Sequence, residues 1–368
     1  MSTAKFKLEP ISGIGRTESL CNALVALAEH LGPGGQFPTV RELARSLGVS
    51  LSTLDRVLHG LEDRGLIERR HGQGVFVGVQ VGKKTIGVVS GFNIFELGTS
   101  PFHGMFIDVA RHSIEKRGGC FRFYLDIENS VNGLPSHLEL ESSLKKKELS
   151  GIIFLGARQP EEIDWIKGFA IPMVSFTDCP HSEFRVYMDY PAMVGQCSDI
   201  LIKDGCRRLA LLPYWDGEKG ALFSSCVEAF KKTMRMHRVA FKDELVWRRG
   251  KTDICETNEQ QGWRAVMELF KDRPASMRPD GIVSTDDMMT RGAVAALAEL
   301  GIRFGEEVRI ATHANRGSSA LDLYKSKLRM VEFDIEELIE LLLNTLDRVG
   351  KGGKGVPKIQ HLKPMQEN

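Results

Sequence analysis

PTVRELARSLGVSLSTLDRVLHGLEDRGLIERRHGQGVFV, residues 38–77, decides the reading of this chain. Thr39 and Glu42 form a Thr-x-x-Glu capping box, which starts a short helix at Val40. Val40, Leu43, Ala44 and Leu47 recur at helical spacing, so they face a core. Gly48 ends that helix, and Val49-Ser50 makes a turn with Ser50 as the next N-cap. A second helix runs from Leu51 to Arg64 with Leu54, Val57, Leu58 and Leu61 as its apolar stripe, and Gly65 stops it. Two short helices across a Gly-containing turn are a helix-turn-helix.

Residues 66–69 then read as a strand, 70–74 as a glycine-bearing turn, and 75–77 as the return strand. A hairpin behind a helix-turn-helix is a winged helix. The stretch resembles the GntR family of bacterial regulators, in the order P-x-x-R-E-L-A, G-V-S, L-x-x-x-G-L-I-x-R and G-x-G-x-F-V. The resemblance implies a DNA-binding domain. It places Arg41 at the family's P-x-x-R arginine and Ser50, Ser52, Thr53, His71 and Gly72 at further contact positions. The recognition helix and wing add Leu51, Asp55, Arg56 and Arg70. Hydroxyls and backbone amides at a helix N-terminus suit phosphate, and Arg69, Arg70 and His71 beside two glycines can enter a groove. GntR relatives typically carry arginines where this chain has Leu51 and Asp55, so an operator unlike the usual half-site is expected.

Outside this stretch the bounds are broad. The chain has 368 residues, 26% of them charged, with a net charge of +1. That length allows two or three domains, and any basic footprint must be local. Seven cysteines, odd in number and in no Cys-x-x-Cys pair, read as reduced thiols of a cytoplasm; no metal site or cofactor is expected. The first ten residues lack an apolar core of signal-peptide length, and no apolar run is long enough to span a membrane. Residues 17–31 carry a helical stripe at Leu20, Leu24, Leu27, Ala28 and Leu31 and complete a DNA-binding domain over 1–78, followed by a linker at 79–84.

From 84 to 368 the pattern changes. Continuous apolar runs at 85–90, 121–127, 151–155 and 172–176 alternate with helical patterns, and the alternation restarts after Tyr190. Buried strands alternating with helices mean an α/β fold with doubly wound parallel sheets. The order of elements resembles the LacI/GalR effector domain, itself similar to a type I periplasmic binding protein. The matching pieces include Thr-Ile-Gly-Val-Val at 85–89, Gly151-Ile152-Ile153-Phe154, Gly205-x-Arg207-Arg208-Leu209-Ala210 and Thr285-Asp286-Asp287-x-x-x-x-Gly292. The resemblance implies two lobes that bind a small molecule and a domain that forms homodimers. Crossings between lobes are expected near Asp189, Ala314 and Phe333, giving one lobe of about 84–189 plus 314–333 and another of about 190–313 plus 334–368.

Ligands of such lobes lie beyond the carboxyl ends of strands. That rule selects Phe102 and Trp215 as stacking groups, and Arg158, Asp178 and Asp287 as polar groups; Asp286 reads as a helix cap. Sugar-binding relatives have an arginine where this chain has Cys226, and an aspartate where it has His313, Ala314 or Asn315. Cys226 and His313 therefore join the candidate ligand positions, and an ordinary aldose held in the family's usual way is not expected. No G-x-S-x-G elbow, Walker loop or Rossmann fingerprint occurs, so catalysis is not expected. The chain reads as a cytoplasmic transcription regulator, expected to be a repressor, that binds double-stranded operator DNA and a small effector. The alternative is a DNA-binding or scaffold protein whose second domain only dimerises.

Overall fold

The computed structural model describes residues 16–91, 93–95, 100–125, 138–156, 160–177, 181–213, 220–249 and 257–365. They fall into two compact units. The first comprises residues up to Lys84 with Gly118–Cys120; the second holds the rest.

The first unit is built as its local signals dictate. Helices α1 (Arg16–Leu31), α2 (Val40–Leu47) and α3 (Leu51–Asp63) precede a hairpin of β1 (Ile67–Arg70) and β2 (Gly74–Val77). The Thr39–Glu42 capping box is closed in both directions, and Gly48 ends α2 at φ +66°, a conformation that disfavours any side chain. Ser50 caps α3 by accepting the Thr53 N–H. The hairpin is antiparallel, in register from Ile67 opposite Val77 to Arg70 opposite Gly74. Leu20, Leu24, Leu43, Leu47, Leu54, Leu58 and Leu61 are almost fully buried and form one apolar core.

In the second unit, β3 (Thr85–Ser90), α4 (Phe102–Lys116), β4 (Cys120–Leu125), α5 (Leu138–Lys145), β5 (Gly151–Leu155), α6 (Pro160–Lys167), β6 (Met173–Phe176) and β7 (Arg185–Met188) form a first run. The chain continues as α7 (Tyr190–Lys203), β8 (Leu209–Leu212), α8 (Ala221–Met236), α9 (Asn258–Phe270), β9 (Gly281–Ser284), α10 (Asp287–Glu299), β10 (Arg309–Asn315) and β11 (Leu328–Phe333). It ends with α11 (Ile335–Gly350) and β12 (Ile359–Leu362). Two sheets result, one of order β12-β7-β6-β5-β3-β4 and one of order β11-β10-β9-β8. Their strands are apolar on both faces, as β5 and β9 show, because helices cover both sides.

The expected division of the lobes needs correction. Residues 328–333 pair with β10 along their whole length, from Ile310 opposite Leu328 to Asn315 opposite Phe333, so they belong to the second lobe. Helix α11 instead packs on α4, β5 and β6, and β12 pairs with β7, which puts both in the first lobe. Ala314 lies inside β10 and is no crossing. The chain crosses at Asp189–Tyr190, at Phe333–Asp334, and again after β12, where the Met365 N–H donates to the Glu332 carbonyl. The apolar segment Leu245-Val246-Trp247 forms no strand: Asp243–Leu245 is a 3-10 turn, and Val246 makes a single bridge to Leu211.

Candidate functional site

The face of the first unit that carries the predicted contact residues is formed by α2, α3 and the wing. Arg41, Ser50, Leu51, Ser52, Asp55, Arg56, Arg70, His71 and Gly72 are exposed there, and Thr53 is partly so. Ser50 Oγ lies 3.0 Å from Ser52 Oγ and 2.8 Å from Thr53 Oγ1, a hydroxyl cluster at the N-terminus of α3. Leu51, half exposed, projects an apolar side chain beside it. Arg41 and Arg56 carry no ion pair among the described residues.

Two charges of this face are already committed. Asp55 Oδ1 accepts from Arg69 Nη1 at 2.8 Å, while Arg69 Nη2 donates to the Asp55 carbonyl at 3.0 Å. Arg69 Nε lies 3.3 Å from Glu62 Oε2. One wing arginine thus ties β1 to the middle of α3. Arg70 donates to both oxygens of Glu68, at 3.1 and 3.0 Å, and its guanidinium sits 4.4 Å from the centre of the Phe76 ring. Being exposed, that pair contributes little and can yield to a phosphate. The sequence shows the charges but not this pairing, which depends on how the hairpin folds back.

In the second unit the polar groups gather at the carboxyl ends of β9 and β10 and the start of α10. Asp286 is the N-cap of α10, as its position after a strand implied: Oδ1 accepts from the Met289 N–H at 2.8 Å and Oδ2 from Asn258 Nδ2 at 3.0 Å. Asp287 follows, 1% exposed. Its Oδ1 accepts from the Met288 N–H at 2.8 Å and from Ser100 Oγ of the other lobe at 3.3 Å, and its Oδ2 has no partner among the described residues. His313 and Asn315 alternate on one face of β10. Both are buried; among the described residues neither ring nitrogen of His313 nor Oδ1 of Asn315 has a partner of good geometry. Tyr190 and Phe333, at two of the crossings, flank His313 with ring centres 5.8 and 5.7 Å away. Asp287 and Asn315 line a cavity of about 130 Å³, with Asp322, Lys325, Met330 and Glu332 among its other walls.

On the first lobe, Phe102 is buried against Phe106 and Phe176. Next to it, His103 Nδ1 lies 3.2 Å from the Ser100 carbonyl. Burial lowers the pKa of His103, against the opposing pull of Asp287. Burial likewise lowers the pKa of His313, again opposed by Asp287 and by the Asn315 amide. The structure therefore places Asp287 and His313 close enough to interact, and sets Phe102 two residues from Ser100, which donates to Asp287. Arg158, Asp178 and Trp215 lie outside the described residues. Cys226 is a correction: it is wholly buried on α8 with Phe223, Val227 and Phe230, so it fills core. Ser100, His103, Tyr190 and Phe333 are not among the candidates named from the sequence, although the sequence places a crossing near Phe333.

The acidic pair has a measurable consequence. Asp286 keeps some exposure, but burial of the rest of its side chain and the charge of Asp287 raise its pKa from 3.8 to about 7. The folded state then holds a proton that the unfolded chain releases near pH 4, so stability falls as pH rises through that window. Asp286→Asn should abolish this component. In urea denaturation, the stability of the variant relative to the parent should rise between about pH 4.5 and pH 7.5. A difference that does not change with pH refutes the coupling.

Comparison with known proteins agrees with this geometry. Residues 26–77 match the family described as bacterial regulatory proteins, gntR family, and residues 198–366 match the periplasmic binding protein-like domain. Catabolite control protein A of Staphylococcus xylosus is 23% identical over 292 residues, covering 75% of this chain and 82% of that protein. The HTH-type transcriptional repressor PurR of Haemophilus influenzae is 21% identical, covering 82% and 90%. A regulatory protein of the LacI family from Chloroflexus aggregans superposes with a TM-score of 0.61 at 18% identity, over 76% of this chain and 95% of that one. The chain thus joins a GntR-family helix-turn-helix domain to a periplasmic-binding-protein-like domain whose fold is that of LacI-family regulators, the two-part construction of a ligand-regulated transcription regulator.

Proposed function

We propose that this chain is a cytoplasmic homodimeric repressor whose grip on double-stranded operator DNA is set by a small molecule held between the two lobes of its second unit. The observation that carries the reading is the set of buried, unpartnered polar atoms on Asp287, His313 and Asn315. A domain serving only to dimerise gains nothing from them, since each costs free energy until a partner arrives. A ligand that supplies partners to both lobes favours one lobe arrangement over another, and by linkage it changes affinity for DNA. Two winged helices on one dimer fit an operator of two half-sites. The same reading gives the chain no catalytic role.

The test is a thermal-shift screen of metabolites on the full chain, followed by operator titrations with each hit. A hit raises the melting temperature by mass action and changes operator affinity. If every compound that raises the melting temperature leaves operator affinity unaltered, the reading fails.

The DNA side yields a separate expectation. Arg41 is exposed and unpaired among the described residues, so it is free to meet a phosphate. Arg41→Ala should weaken operator binding about tenfold and reduce the slope of log affinity against log salt by about 1. Titration at two salt concentrations checks it, and an unchanged slope refutes the phosphate contact.

A further inference from the structure

We infer that the group of the effector lodged against Asp287 and Asn315 is an N–H-bearing cation, an ammonium or guanidinium type, and not a phosphate, a carboxylate or a plain hydroxyl. This rests on the reading of the cleft as the effector site.

The argument is an inventory of unmet valence. Asp287 Oδ2 and Asn315 Oδ1 are acceptors without donors, on residues 1% and 3% exposed. His313, 5% exposed, lies beside the Asn315 amide and makes no hydrogen bond of good geometry at either ring nitrogen among the described residues. The two unpartnered oxygens, Asp287 Oδ2 and Asn315 Oδ1, are both acceptors. A hydroxyl brings one donor and two lone pairs, which leaves the site with more acceptors than it can satisfy. An ammonium brings three donors and no acceptor, and a guanidinium five.

Charge points the same way. No lysine or arginine pairs with Asp287 among the described residues, and its near neighbours are the carboxyl of Asp286 and two histidines. The cavity walls carry Asp287, Asp322 and Glu332 against the single cation Lys325, which is exposed. An anion entering here meets the Asp287 carboxylate at the buried end. A cation supplies the counter-ion that a buried carboxylate requires.

The test uses fragments that report the group alone. The full chain is melted with methylammonium, methylguanidinium, acetamide and acetate, each at matched ionic strength, beside Asp287→Asn and Asn315→Ser. The two N–H cations should raise the melting temperature of the parent, and Asp287→Asn should abolish that rise. Asn315→Ser should weaken it about tenfold in apparent affinity. Without any fragment, Asp287→Asn should itself melt higher than the parent, by about 2–4 °C, because the amide keeps the Oδ1 acceptor and removes an uncompensated buried charge. A structural aspartate behaves in the opposite way. The inference is overturned if Asp287→Asn melts lower or does not fold. It is equally overturned if acetamide or acetate stabilises while the cations do not, or if no fragment stabilises. In each of those cases a metabolite that shifts both melting and operator affinity leaves the regulator reading intact, so the two failures are distinguishable.

Discussion

Gly292→Ala should strongly destabilise the second unit. Helices α9 and α10 cross through two glycines. A Cβ on Gly292 would sit 1.8 Å from the Glu259 carbonyl oxygen and 2.7 Å from the Trp263 nitrogen. A Cβ on Gly262 would sit 1.9 Å from the Met289 carbonyl oxygen. Every one of these obstacles is backbone, so no side-chain rotation relieves them and the helices must separate. Separation opens the packing of Ala265, Val266, Ala293 and Val294, which are nearly or wholly buried. We expect a loss of more than about 3 kcal/mol, at the upper end of the overpacking range. For a unit of this size that is a fall in melting temperature on the order of 10 °C. Gly104→Ala is the control: it lies on α4 with no atom within 4 Å of its added Cβ, and should be neutral or stabilise by about 0.5–1 kcal/mol. A Gly292→Ala protein that melts within about 2 °C of the parent would show that the two helices are not bound to this spacing. Because α10 begins at Asp287, the same change should also cost effector binding in whatever protein remains folded.

That crossing is invisible in the sequence, and the reason is instructive. Gly292 belongs to the quoted Thr285-Asp286-Asp287 motif, but nothing local says which backbone lies against it. What the sequence does announce is local. Thr39 with Glu42, Gly48, Ser50 and the leucine stripes of α2 and α3 are signals spanning a few residues, and the winged helix follows them closely. The parallel sheets were legible from apolar runs, but the lobe to which the last strands belong was not. The run 328–333 fits either sheet by composition, and only its register with β10 decides. The strand 359–362 is only four residues long, Ile-Gln-His-Leu, and pairing with β7 alone defines it. At the candidate site, Asp287, His313 and Phe102 are proposals that follow from readable strand ends and helix starts. Cys226 could not be excluded, because a rotation of α8 by one residue separates a cleft from a core.

Arg69→Ala should weaken operator binding about 10- to 100-fold, and removal of Asp55 as well should restore most of the loss. The expectation follows from where the charges sit. Asp55 is on the exposed face of α3, 64% exposed as a side chain, where a phosphate backbone or base edge would approach. Alone, its carboxylate repels phosphate; held by Arg69 Nη1 at 2.8 Å, it is neutralised and also braces β1 against α3. Glu62, which shares Arg69, adds a second carboxylate that the truncation would expose. The single variant therefore presents two uncompensated anions to DNA and loosens the wing that carries Arg70 and His71. The double variant Asp55→Ala/Arg69→Ala removes one anion and loses only the brace. Operator titrations of the parent, both single variants and the double variant close the cycle. If the double variant binds as weakly as Arg69→Ala, Arg69 grips DNA directly and the pairing seen here is broken in the complex. If the cycle closes as expected, Asp55 sets wing position and charge without reading a base. Selection from random sequences should then return the same operator for Asp55→Ala as for the parent, and Leu51 becomes the residue of α3 that shapes base preference by packing on a thymine methyl.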